Sequence, residues 1–295
     1  LPFADFRKVT ASIGFVSLLN SKTRSPAFIS TSMTNEARVF RSALIAVALI
    51  LLSSYASGQR IAVLAPVASP QNAAFTERLA DSLESKFRVI DSGIALSAFN
   101  SVKVENPFNL TAKNARNIGA VIGSDHFVLI RAATTRRSSY ARPMYYEAYA
   151  AIYLVNSRTG LLDLWRIESK QGDTPAEAER LLIQEAPQIA SLIASTIAST
   201  KPPIEPISEF AVFDPESKNM RPTMPYRRIK PEYTPTAFLY EIAATVEAEV
   251  SVDEKGELRR IDIVRWAGYG LDEAVIAAVR QINWRPGSRD GKALP

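Results

Sequence analysis

The chain contains no cysteine and only one histidine among its 295 residues. The absence of thiols excludes disulfides, thiolate metal sites, a cysteine nucleophile and an acyl anchor on cysteine. The histidine, His126, lies in the apolar run Ser124 to Ile130, which predicts a buried residue at a strand end with a local hydrogen bond. The enzymatic alternative is an exported hydrolase that uses carboxylates, but the aspartates and glutamates are scattered without a suggestive pair. We expect no catalytic residue, no metal and no cofactor, and we expect that the chain is not an enzyme.

The chain also lacks a strong charge of one sign. Its 35 basic and 30 acidic residues give a net charge of +5, spread along the sequence. A nucleic-acid-binding protein usually concentrates basic residues on one face or in one segment. We therefore expect no nucleic-acid partner.

One unbroken apolar run stands near the start of the chain, from Ala43 to Leu52. Arg38 and Arg41 precede it and small residues around Ala56 follow it, which is typical of an export signal that is cleaved near Ala56 or Gly58. We expect the natural start at Met33, after 32 residues without a clear period. The alternative is an uncleaved membrane anchor over about residues 42–56, although a spanning helix needs about 20 apolar residues.

Residues 59–200 predict a middle αβ domain, which makes the whole chain an α+β protein. The pattern is β-α-β-α-β, followed by a β-hairpin and a long helix that begins at the capping Thr174 and Pro175. The expected elements are strands near 60–66, 88–91 and 127–130, helices near 75–87 and 111–122, a basic loop at 136–139, a hairpin of 145–156 and 161–168, and a helix from 174 to about 199.

The run from Ala115 to Leu129 joins the end of a helix to a strand. It resembles the helix-to-strand signature of the periplasmic domains in TolB's N-terminal part and in curli-secretion and penicillin-binding-protein activator lipoproteins. The alternative for Gly119 and Gly123 is a nucleotide-binding loop. That alternative fits poorly, since a phosphate loop follows a strand and opens a helix, whereas these glycines precede a strand.

Residues 201–235 carry eight of the chain's 18 prolines and predict a stiff linker. The following region, 236–295, predicts a small ββα unit. Thr245 to Val252 alternates strictly between apolar and polar residues, a polar loop with Gly256 follows, and Leu258 to Arg265 returns as a second strand. A short amphipathic helix from Leu271 to Ile282 completes the unit.

These C-terminal motifs, beginning near residue 222, together resemble the C-terminal domain of TonB. The motifs are Tyr233-Thr234-Pro235-Thr236-Ala237, Thr245 to Asp253, Gly256, Gly270-Leu271-Asp272-Glu273-Ala274, Trp284-Arg285-Pro286 and Gly291-Lys292. The resemblance implies a periplasmic domain of a Gram-negative-type bacterium that grips a short segment of outer-membrane TonB-dependent transporters by strand addition. It also implies coupling of energy from an inner-membrane complex, if the N-terminal segment stays uncleaved. A soluble periplasmic adaptor without energy transduction is the alternative.

Partner contacts are expected from residues in and beside these motifs. The alternative for the basic stretch from Tyr226 to Lys230 is a solvent-exposed segment beside the domain that contacts no partner. The expected contact residues are Tyr226, Arg227, Arg228, Tyr233, Pro235, Arg265 and Trp284.

Two features depart from the TonB pattern. The chain has Trp266-Ala267-Gly268 where the family tends to have a small Ser-rich pair before glycine. The family continues past the Gly-Lys turn into a last strand, whereas the given sequence stops at Pro295. We expect either a fragment or an open sheet edge, and an open edge predicts self-association.

Overall fold

The structure, a computed structural model, describes residues 58–200 and 219–293. The export signal or membrane anchor and most of the Pro-rich linker lie outside these residues. These described residues belong to one compact unit. The division into a domain at 59–200, a linker at 201–235 and a domain at 236–295 stays a prediction about independent folding.

The middle region is built on a five-stranded sheet in the order β2-β1-β3-β4-β5. Strand β1 runs parallel to β2 and β3, while β3, β4 and β5 pair antiparallel. The strands are β1 (Arg60–Leu64), β2 (Arg88–Ile90), β3 (His126–Arg137), β4 (Tyr145–Asn156) and β5 (Leu162–Gly172). The expected mixture of a β-α-β alternation and a hairpin is therefore confirmed.

Five helices flank this sheet: α1 (Pro70–Glu84), α2 (Ser92–Ser101), α3 (Ala112–Ile122), α4 (Pro175–Ile183) and α5 (Ala186–Ser199). Four of them begin at a side chain that accepts a hydrogen bond from an amide in the first turn, as N-cap residues do. The caps are Ser69, Asp91, Thr111 and Thr174. The helix start predicted at Thr174 is confirmed, with Pro175 in the first turn.

Alternate residues of the central strands enter two different hydrophobic cores. Ile152 and Leu154 pack in the core that contains buried residues of α1, α4 and α5, whereas Tyr153 and Val155 pack in the core that contains those of α2 and α3. Because side chains of a strand alternate between faces, each layer of helices covers one face of the sheet.

The C-terminal region contains the predicted ββα unit: β8 (Glu247–Val252), β9 (Leu258–Arg265) and α7 (Leu271–Arg280). A five-residue helix, α6 (Pro235–Leu239), precedes it. The remaining strands are two residues long: β6 (Met220–Arg221), β7 (Met224–Pro225), β10 (Trp284–Arg285), β11 (Ser288–Arg289) and β12 (Lys292–Ala293). β10 pairs with β7, and β11 lies between β12 and β6.

Three local features of the structure differ from the sequence-based description. Arg136 and Arg137 are the last residues of β3, not a loop, because β4 is long enough to pair with them through Tyr146 and Tyr145. Helix α2 was not predicted. The long C-terminal helix of the middle region is divided between α4 and α5, where Pro187 stands in the first turn of α5 and cannot donate a backbone hydrogen bond.

Within the described residues, one helical stretch, Pro175–Ser199, is long and apolar enough to cross a membrane. In this structure the buried residues of the stretch, among them Leu182, Ile189 and Ile193, lie in the core on the sheet. Core helices of soluble proteins can have the same length and composition, so these two properties do not distinguish a membrane-spanning helix from a core helix here.

The two glycines considered for a nucleotide loop have structural roles. A Cβ at Gly119 would lie 2.4 Å from the Cβ of Ser157, so only glycine allows this helix to approach the loop after β4. Gly123 ends α3 with a φ of 74°, in the left-handed conformation that glycine adopts without strain.

Candidate partner-binding region

The β8–β9 hairpin and α7 form a small core of their own. Val252, Val279 and Trp284 are buried there, and partly buried residues such as Ile261 and Val275 pack against them. This packing follows from the alternation predicted for β8 and the amphipathic pattern predicted for α7. Because one face of the hairpin packs in this core, the outer edges of β8 and β9 have defined positions.

Asp272 holds the turn between β9 and α7. Its carboxylate accepts hydrogen bonds from the backbone N–H groups of Ala267 at 2.9 Å and Gly268 at 3.0 Å. Burial raises the pKa of Asp272 to about 6, although both backbone hydrogen bonds favour the ionised form and lower it. Asp272 lies in the first turn of α7, as the sequence predicts. Its side chain also fixes the conformation of the preceding turn through these two hydrogen bonds.

That turn inserts two aromatic side chains into the face of the middle sheet. Trp266 is completely buried, and Tyr269 is also buried. Gly268 permits the approach, because a Cβ there would lie 2.3 Å from Trp165. The residue pattern that departs from the TonB family is therefore the one that contacts the middle domain.

Six aromatic residues, which we call the aromatic cluster, join the two regions: Tyr149, Tyr153, Trp165, Tyr240, Trp266 and Tyr269. Ring centroids lie 5.6 Å apart for Tyr153 and Trp266, and 4.9 Å apart for Trp165 and Tyr269. The Trp266 indole donates to the carbonyl oxygen of Gly160 at 3.3 Å. Such aromatic contacts stabilise beyond the area they bury, so the cluster is a firm attachment between the regions.

Asn109, in the loop before α3, binds the hairpin at its open end, where the chain enters β8 and leaves β9. Its Nδ2 donates to the carbonyl oxygens of Thr245 and Trp266, each at 2.8 Å, and its Oδ1 accepts from the N–H of Thr245 at 3.1 Å. The N–H of Trp266 donates to the carbonyl oxygen of Leu110. One amide side chain therefore satisfies three backbone groups that a longer sheet would otherwise pair.

A buried carboxylate forms the third contact between the regions. Glu147 on β4 accepts a hydrogen bond from the Tyr240 hydroxyl at 3.0 Å and one from Arg137 Nε at 2.8 Å. Burial, together with the adjacent Glu147 charge, raises the pKa of Tyr240, so this hydroxyl remains a donor. Both carboxylate oxygens have partners, as a buried charge requires.

Most of the expected partner-contact residues are exposed. Tyr226, 67% exposed, and the exposed Arg227 and Arg228 follow β7. Pro235 is the exposed first residue of α6, and Tyr233 donates its hydroxyl hydrogen to the carbonyl oxygens of Ala237 and Ile242. Their roles in binding stay a prediction.

Arg265 and Trp284 are less accessible. Arg265 is partly buried, forms an ion pair with Glu247 at 3.0 Å and lies opposite Thr111 of the middle region. Trp284 is 8% exposed and packs in the core under the hairpin. The structure thus gives these two residues contacts within the chain, and whether they also contact a partner stays a prediction.

Among the strands of this region, only β11 pairs on both sides within residues 58–200 and 219–293. β8 and β9 pair with each other, and an isolated bridge also joins Arg265 at the end of β9 to Thr111 of the middle region. An edge strand presents unpaired N–H and C=O groups to a second extended chain. The outer edge of β8, six residues long, is the longest edge of this region without such a bridge.

His126 is buried at the start of β3, as expected, with 7% exposure. Its Nε2 lies 3.4 Å from Asp163 Oδ2, but neither ring nitrogen makes a hydrogen bond with a described residue, so the structure differs from the expected local hydrogen bond. Among the described residues, no group of histidine, aspartate and glutamate side chains is arranged to hold a metal ion.

The C-terminal residues match a family model, described as Gram-negative bacterial TonB protein C-terminal. The match covers residues 229–295. Residues 229–295 are a TonB-type C-terminal domain. The match covers less than half of the chain, so it describes this C-terminal region, which we call the TonB-like region, and not the whole protein.

The comparison with curated proteins found no match. Among solved structures, the hypothetical protein CT253 of Chlamydia trachomatis is 13% identical, with a TM-score of 0.33 over 48% of this chain and 99% of that one. Lipoprotein GNA1162 of Neisseria meningitidis is 14% identical, with a TM-score of 0.31 over 48% of this chain and 99% of that one. The PelC dodecamer protein of Paraburkholderia phytofirmans is 9% identical, with a TM-score of 0.29 over 47% and 89%. Similarity at this level carries no conclusion about function.

Proposed function

We propose that the TonB-like region binds an extended periplasmic segment of an outer-membrane TonB-dependent transporter by strand addition. The observation that carries the proposal is the unpaired outer edge of β8 in the described part of a region that matches the TonB family. Strand addition draws its affinity from main-chain hydrogen bonds and needs few special side chains. The exposed Tyr226, Arg227 and Arg228 would supply aromatic and cationic contacts beside the segment.

The absence of cysteine makes a direct test available, because any introduced cysteine is unique. Glu249→Cys places a thiol on an exposed position of β8, and Glu273→Cys places one on an exposed position of α7 as the matched control. Each variant is mixed with extended transporter-derived peptides that carry one cysteine, and disulfide formation is followed under mild oxidation. We expect rapid cross-linking at position 249 with a register-dependent peptide pattern. Equal cross-linking at both positions would rule out addition at β8.

The second candidate function is a soluble periplasmic adaptor that does not transduce energy. The aromatic cluster and Asn109 favour it, because they hold the TonB-like region against a larger folded domain. A domain that is attached in this way is suited to presenting a binding edge at a fixed position relative to the middle domain. Energy transduction would require, in addition, an anchor in the inner membrane at about residues 42–56 and contact with an energising complex.

The N-terminal residue of the mature protein distinguishes these functions. Mass spectrometry of protein isolated from the periplasm and from the inner membrane would identify it. A chain that begins near Gly58 supports the adaptor, and a membrane-bound chain that retains Arg41 supports energy coupling. Neither outcome depends on the cross-linking test, so transporter binding and energy coupling are judged separately.

A further inference from the structure

A groove of about 860 Å³ lies along α1 and the sheet edge formed by β2, away from the TonB-like region. Its apolar lining comes from both elements and from the ends of β1 and α2, including Val63, Ala73, Ala80, Val89, Ile90 and Leu96. Within the described residues β2 pairs only with β1, so its other side offers free backbone groups to the groove. An apolar floor beside an unpaired strand is the arrangement that accepts an extended peptide.

Every charged residue that lines the groove is acidic. These residues are Glu77, Asp81, Glu84 and Asp91, and the described lining includes no lysine or arginine. Glu77, Asp81 and Glu84 follow one side of α1 and have no ion-pair partner in the described part of the chain. Asp91 accepts a hydrogen bond from the N–H of Ile94 and caps α2. Arg88 lies on β2 but does not line the groove. The groove therefore favours a cationic ligand.

We propose that this groove binds an extended, basic segment of another protein, which adds to β2 as a strand. Apolar side chains of the segment would contact the floor, and its lysine or arginine side chains would meet the carboxylates on α1. The part of α1 that lines the groove, from Pro70 to Glu84, spans about 21 Å at 1.5 Å per residue. That length matches about six residues of extended chain at 3.3 Å each. The middle domain would then bind a partner of its own, different from the partner of the TonB-like region.

The test uses the chain from Gly58 to Pro295 and three synthetic octapeptides. The first alternates valine with lysine and arginine, the second alternates valine with glutamate, and the third repeats the first with every second backbone nitrogen methylated. Affinity is measured by fluorescence anisotropy at low and moderate salt. We expect the basic peptide to bind. The acidic peptide should bind at least about tenfold more weakly because its charge has the same sign as that of the groove, and the methylated peptide should do so because it lacks N–H donors.

Two variants locate the binding on the protein. Glu77→Gln, Asp81→Asn and Glu84→Gln combined should weaken binding of the basic peptide by about tenfold. The control combines Glu232→Gln, Glu254→Gln and Glu273→Gln, which remove the same charge from exposed positions elsewhere, and it should change the affinity less than about twofold. Equal loss in both triple variants, or equal binding of the methylated peptide, would overturn the proposed strand addition at this groove.

Discussion

Trp266 is a completely buried tryptophan at a position where the TonB family tends to carry small residues. Its indole lies against Tyr153 and donates to Gly160 across the boundary between the two regions. A large aromatic side chain buries apolar area and leaves one N–H that needs a partner, and both requirements are met here by the middle domain. The departure from the family pattern thus has a structural cause in the attachment of the two regions.

Trp266→Ala should lower the free energy of unfolding of the chain from Gly58 by about 3–5 kcal/mol, the range for aromatic truncation in a core. The physical reason is the loss of contacts with residues that cannot all move into the cavity. Urea unfolding followed by circular dichroism measures the change. Tyr226→Ala, at an exposed aromatic, is the control and should change stability by no more than about 0.5 kcal/mol. Equal effects of the two variants would contradict the role of Trp266 in the core.

Asp272 predicts a pH dependence of stability. Its folded-state pKa of about 6 lies above the ordinary value of 3.8. The folded chain therefore binds this proton more tightly than the unfolded chain, so the contribution to stability is fully present below about pH 4 and is lost as the pH rises through about 6. A difference of about two pH units corresponds to roughly 3 kcal/mol.

The measurement compares the wild-type chain with Asp272→Asn between about pH 4 and pH 7, because the other titrating groups are shared. The wild type should lose stability relative to the variant as the pH rises. A difference between the two proteins that stays constant over this range would show that Asp272 titrates in the same way in the folded and unfolded chain.

At the scale of elements, the loop before α3 and the hairpin β8–β9 are linked by one side chain. Asn109 forms hydrogen bonds with three backbone groups at the open end of the hairpin, at 2.8 to 3.1 Å. The hairpin is only a two-stranded sheet, which is marginal alone, so contacts at its ends contribute to its order.

Asn109→Ala should destabilise the attachment of the hairpin by about 1–3 kcal/mol, since the carbonyl oxygen of the buried Trp266 and two backbone groups of the exposed Thr245 lose their partner. Hydrogen exchange with mass spectrometry should show faster exchange at Thr245 and along β8 and β9, with little change in β1 and β3. Asn117→Ala, at an exposed position of α3, is the control and should leave exchange in the hairpin unchanged. Faster exchange throughout the protein would point to a loss of global stability.

At the scale of the molecule, the TonB-like region covers a part of the middle sheet that α2 and α3 do not. Tyr149, Trp165 and Ile167 of the antiparallel strands contact this region, and Ala237, Trp266 and Tyr269 belong to the same core as Tyr153. Separation of the regions would expose a contiguous apolar surface, which soluble monomers usually avoid. Whether the two regions fold independently stays a prediction.

A protease site placed between Lys201 and Lys218 tests the strength of this attachment. After cleavage, the fragments 58–200 and 219–295 should elute together in gel filtration, because the aromatic cluster and Asn109 remain intact. The same cleavage in the Trp266→Ala variant should release separate or aggregated fragments. Release of two monomeric fragments from the wild-type chain would support the predicted independent domains instead.

The sequence by itself determined the elements whose signals are local: the alternation of β8, the turn at Gly256, the return strand Leu258–Arg265, the amphipathic α7 and the cap at Thr174. Each depends on residues within a few positions of one another, so period and capping chemistry suffice. The motifs also identified the TonB family. Only the tertiary structure decided that Trp266 meets Gly160, 106 positions away, and that Asn109 bonds Thr245, 136 positions away. These contacts depend on how distant elements pack together, and no periodicity within either segment encodes the partner's position.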